Sequence, residues 1–206
     1  MYFKYLPIHI ILAALLTSCS SLDQAGCLNA DWRTLGFEDG MKGRNESQIS
    51  NYRQDCAKHG VTPDLDAYRA GHYEGSAQFC TAQNGFAQGR NNHRYQNSCP
   101  PEFANAFMAG YRDGQTLYQA KTQLDGAHSE LRNIQQEIYK LESSIAKLNE
   151  QLVADGLNRE QRIKIRDELA KLNESLGQAN LVKDELASAI IVYQNEYSRL
   201  QQHFSY

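Results

Sequence analysis

The chain has 206 residues, 41% of them hydrophobic and 22% charged, and a formal net charge of −3. That balance excludes the strongly basic surface on which nucleic-acid binding depends. Beyond the first eighteen residues no stretch is long and apolar enough to cross a bilayer.

Residues 1–18 read as an export signal, with Lys4 as the positive start, Leu6 to Leu16 as a short apolar run, and small residues after it. The run is too short to span a membrane. "LTSC", Leu16 to Cys19, resembles the lipobox of bacterial lipoproteins, which implies cleavage before Cys19 and acylation of that cysteine, palmitate included. Several acyl chains give stable anchoring to membrane lipid. By the same resemblance, Ser20 and Ser21 rather than an Asp after the cysteine imply sorting to the outer membrane, facing the periplasm. Residues 19–26 then form a lipidated start and a short tether, about 25 Å at full extension. Removal of the signal takes away Lys4 alone among the charged residues and leaves a formal charge of about −4.

Four further cysteines, Cys27, Cys56, Cys80 and Cys99, all fall in the first half of the chain. An even count in an exported protein implies a disulfide framework, with three pairings open. Sequential pairing would close loops of 29 and 19 residues, each bond contributing about 3–4 kcal/mol in the chain-entropy picture. Composition changes near residue 120, from aromatics, glycine and cysteine to Leu, Ile, Glu, Lys, Gln and Asn. The division expected is a helical head at 27–116 and a coiled-coil hairpin at 117–206.

Helical signals dominate the head. "NADWRTLGFEDGMKG" begins with Asn29 as a cap, "SQISNYRQDCAKHG" stops at Gly60, and "DLDAYRAGHYEGSAQF" opens with Asp64 after Pro63. Residues 84–99 read as a loop or short-helix connection, and a fourth helix starts near Pro100 or Pro101. No strand alternation is sustained, so the fold class expected is all-α: a small disulfide-stapled helical head followed by a long antiparallel coiled-coil hairpin.

Four near-copies of one motif recur: "LGFEDG" at 35–40, "AGHYEG" at 70–75, "NGFAQG" at 84–89 and "AGYRDG" at 109–114. Glycines four apart share a helix face. Each costs up to about 1 kcal/mol relative to alanine inside a helix, so the expected return is close helix crossing. A second reading makes Asp39, Glu74 and Asp113 the carboxylates of a binding site, with Arg90 in a polar loop beside them as a glycan contact.

These residues carry a resemblance. "DWRTLGFEDGMKG", "YRAGHYEG", "FCTAQNGFAQGRNNHRYQNSCP" and "FMAGYRDG" together resemble a family of Gram-negative envelope lipoproteins known only as a domain of unknown function. The resemblance covers about Cys27 to Leu117 and implies a small disulfide-bonded domain, without an activity.

From Leu117 to Leu152 apolar residues step by threes and fours. "DGLNREQ", 155–161, breaks the seam, with Gly156 suited to a helix stop and Asn158 with Gln161 to a capping box. A second seam runs from Ile165 to Phe204 and is broken only by Lys183. Two seams joined by a short turn predict an antiparallel hairpin that docks Tyr193, Tyr197, Phe204 and Tyr206 onto the head, with a tip around Asn158. Self-association of the seams between copies is the alternative.

No catalytic motif stands out: the cysteines are oxidised, and His59, His72 and His93 lack metal-ligand spacing. The sequence therefore predicts no enzyme, no cofactor and no metal. The function expected is a noncatalytic outer-membrane lipoprotein that engages an envelope protein through the hairpin. The alternative is a peptidoglycan- or glycan-binding module using the aromatics and carboxylates of the head.

Overall fold

The structure, a computed structural model, describes residues 22–206. The export signal, Cys19, Ser20 and Ser21 lie outside the described residues. The described chain is helical throughout, without a strand. It divides into two compact units, one reaching to Phe79 and including Gln96–Ser98, the other Cys80–Tyr95 with Cys99–Tyr206.

The first unit contains α1 (Gln24–Leu28), α2 (Trp32–Met41), α3 (Ile49–Ala57) and α4 (Leu65–Phe79). Asp23 caps α1 by accepting from the Gly26 amide, so the expected tether is already helical from Gln24. Asp31, not Asn29, caps α2, because its carboxylate is placed to accept from the amides of both Arg33 and Thr34. Gly60, with φ of +70°, ends the turn after α3, and Asp64 accepts from Asp66 and Ala67 at the head of α4. Cys27 of α1 is bonded to Cys56 of α3. Ile49, Tyr52 and Tyr68 form the core, covered by Leu22, Trp32, Leu35 and Leu65.

The second unit contains α5 (Ala82–Arg90), α6 (Pro101–Leu152) and α7 (Arg159–His203). The segment expected as a loop or short helix is a nine-residue helix capped by Thr81, followed by a loop to the Cys80–Cys99 disulfide. Both disulfides are thus sequential. α6 opens on Pro101, where a missing N–H costs nothing, and runs unbroken through residue 117, so no helix end separates the expected head from the expected hairpin.

α6 and α7 form the antiparallel hairpin. Its arm from Leu117 to Leu152 is about 54 Å long at 1.5 Å per residue. Leu117, Ala120, Leu200 and Phe86 share a buried cluster with Tyr197 and Phe204 against it. Setting Leu117 opposite Leu200 carries each later seam residue of α6 onto one of α7: Leu124 onto Tyr193, Leu131 onto Leu186, Ile138 onto Ala179, and Leu152 onto Ile165. Lys183 then faces Ile134. It is tolerated because its ammonium leaves the seam to donate to Asn180 at 3.0 Å, with Asp184 at 3.6 Å.

Candidate functional site

The glycine pairs resolve first. α2 crosses α4 at Gly36, Gly40, Gly71 and Gly75, and α5 crosses α6 at Gly85, Gly89, Gly110 and Gly114. A Cβ at any of these eight would fall far inside 3.0 Å of a backbone carbonyl on the facing helix: Gly36 on Tyr68, Gly71 on Arg33, Gly85 on Phe107, Gly110 on Ala82. The contacts are reciprocal in each pair, since the second glycines repeat them one turn later. The motif is a packing device: no side chain larger than hydrogen lets these backbones approach so closely.

The two crossings are two copies of one arrangement. In the first, Asp39 precedes the second glycine of α2, and its carboxylate accepts from Arg44 (3.0 Å), Tyr52 (3.0 Å) and Tyr68 (2.8 Å). His72 Nε2 lies 2.8 Å from the Arg44 carbonyl, and its ring stacks on Tyr68. In the second, Gln88 stands at the place of Asp39, and its Oε1 lies 2.9 Å from His93 Nδ1. Tyr95 and Phe107 replace Tyr52 and Tyr68 with rings 4.7 Å apart, while the Tyr111 hydroxyl donates to the His93 carbonyl at 2.8 Å. The second cysteine of each disulfide follows its tyrosine by four residues, Cys56 after Tyr52 and Cys99 after Tyr95.

That correspondence decides what Asp39 does. It is 2% exposed, and its oxygens are taken by three internal donors. The second copy builds the same corner with a neutral amide. Asp39 therefore ties a loop and two helices together, and a ligand would have to displace those donors. Burial, followed by the hydrogen bond from its hydroxyl to Asp39, pushes the Tyr68 phenol far above its ordinary value; burial and the Asp39 charge push Tyr52 up as well.

The other residues expected in a head site are also engaged. Glu74 is exposed and paired with Arg33 of the facing helix α2 at 2.5 Å, alongside the crossing. Asp113 accepts from the Tyr206 hydroxyl, whose ring stacks on Phe86 at 4.7 Å. Arg90 lies over the Phe86 ring, 5.9 Å from its centroid. Asp39 and Glu74 are not brought together, and Asp113 serves to seat the C-terminus of the hairpin. His59 and His93 are exposed, and among the described residues no group of three or more His, Cys, Asp or Glu could hold a metal ion.

The hairpin turn is the remaining candidate. Asn158 and Gln161 form a reciprocal capping box, each side chain bonded to the other's amide at 2.9 Å. Gly156, with φ of +83°, makes the turn that alanine could not. Arg162 closes it by donating to the Leu152 carbonyl at 2.5 Å and, more weakly, to that of Ala154. The sequence reading missed the part played by Arg162, because a side chain satisfying carbonyls ten residues back leaves no periodic signal. Beside the turn, Leu152, Arg159, Arg162, Ile163 and Arg166 line a shallow cleft of about 600 Å³.

Residues 31–116 match the family described as "Protein of unknown function (DUF2799)". That span holds both glycine crossings and ends just before the hairpin seam. Comparison with curated proteins and with solved structures finds no match. Among the described residues no helix is long and apolar enough to cross a membrane.

Proposed function

We propose that the protein is a noncatalytic lipoprotein, anchored to the outer membrane through an acylated Cys19 and facing the periplasm, whose hairpin engages an envelope protein. The observation that carries this reading is the hairpin itself. Its two seams are spent on each other, its base is locked by Phe86, Leu200, Phe204 and Tyr206, and its turn is left exposed with a built cap. A rigid paired arm of about 54 Å positions a contact surface at a set distance from its base. The lipobox-like "LTSC" supports the anchor.

The glycan-binding alternative receives no such support, since Asp39, Glu74 and Asp113 each already hold an internal partner. The test is in-cell photo-crosslinking from an unnatural residue at Asn158, compared with one at Arg90. A distinct envelope protein captured at Asn158 and not at Arg90 is expected. Capture of peptidoglycan fragments at Arg90 alone would move the function to the glycine-crossed modules.

A further inference from the structure

Resting on that reading, we infer that the cleft at the hairpin turn takes an acidic protein segment carrying an apolar anchor. Arg159, Arg162 and Arg166 stand at i, i+3 and i+7 of α7, which places them on one helix face. Like charges at that spacing repel, so the arrangement disfavours the free helix unless an anion lies between them. Nearby acids do not supply it. Glu160 is taken by Lys164 at 2.8 Å, and Arg159 and Arg166 are in no ion pair among the described residues. Arg162 donates to the turn carbonyls, so its guanidinium is held in place while those of Arg159 and Arg166 extend into solvent.

The same surface is apolar between the charges. Ile163 is 46% exposed and lines the cleft with Leu152. A small inorganic anion would satisfy the arginines and leave Leu152 and Ile163 bare. A polypeptide with carboxylates flanking a large apolar side chain would cover both, because guanidinium groups bind carboxylates through two parallel hydrogen bonds around a desolvated centre.

The experiment uses the full chain in cells, with the photo-crosslinking residue at Asn158 and three backgrounds: unchanged, R159E/R166E, and R159K/R166K. Arg162 and the seam are left alone, all three backgrounds carry the same replacement of the Asn158 cap, and glutamate near the start of α7 favours the helix. The expected result is an adduct mapped to an acidic segment of one protein, lowered about tenfold or more by R159E/R166E and less by R159K/R166K. Reversing the mapped acids to lysine should restore the adduct to R159E/R166E. An adduct unchanged by charge reversal overturns the arginine cleft while leaving the hairpin as the contact arm. An adduct to lipid A phosphate or phospholipid overturns the protein-segment occupant. No protein adduct at Asn158 in any background overturns the hairpin reading itself.

Discussion

At the scale of single residues, the glycines differ from one another by what faces them. Gly71 and Gly110 look onto a carbonyl of the facing helix, whereas Gly126 and Gly177 have nothing within 4 Å of a Cβ. Gly71→Ala and Gly110→Ala should each cost about 3 kcal/mol or more, because the facing backbone must move. Gly126→Ala and Gly177→Ala should gain about 0.5–1 kcal/mol from helix propensity. Thermal denaturation of the four variants checks both signs. Tyr52 and Tyr68 supply a second test. Their folded-state pKa values are raised, so the stability they contribute is complete below the ordinary tyrosine pKa near 10 and is lost as pH climbs beyond it. Alkaline titration followed by phenolate absorbance should show a late, cooperative fraction that coincides with loss of helicity, and Tyr68→Phe should shrink it.

Among elements, periodic signals were legible in the sequence and reciprocal ones were not. The seam from Leu117 to Leu152 repeats every seven residues, and the Asn158–Gln161 box needs only local spacing, so both could be read directly. The start of α2 was misplaced by two residues because Asn29 and Asp31 are both good caps, and only backbone geometry selects between them. α5 was hard to read because two glycines and three polar amides in nine residues weaken every helical signal. Beyond the Thr81 cap, its glycines are accommodated because the crossing with α6 uses them, which is a tertiary cause. Loss of the cap is the element-scale prediction. Asn158→Ala should destabilise the hairpin by about 1 kcal/mol, measured by amide exchange as faster opening of residues 158–165 with the base near Leu200 unaffected.

For the whole molecule, the sequence showed four motif copies but not that they pair into two equivalent crossings. That equivalence rests on Asp39 matching Gln88, Tyr68 matching Phe107 and His72 matching Tyr111, substitutions that preserve position and change chemistry. A reader of the sequence therefore weighs Asp39, Glu74 and Asp113 as one carboxylate set, although one is buried, one is paired on the surface and one seats the C-terminal tyrosine. The change of composition and the division into compact units fall at different places for a related reason. Composition changes near 120, yet α6 belongs at once to the second crossing and to the hairpin.

The central claim is that the two long helices pair within one chain and leave their turn for a partner. Counting by heptads along both helices from the buried Leu117 and Leu200 sets residues 138 and 179 opposite each other. The direct measurement is a chain carrying Ile138→Cys and Ala179→Cys, purified, oxidised and run on a non-reducing gel. The hairpin predicts a fast-migrating monomer closed by an intrachain bond that reductant reverses. A covalent dimer as the main product would show that the seams pair between copies and would contradict the hairpin as a free interaction arm.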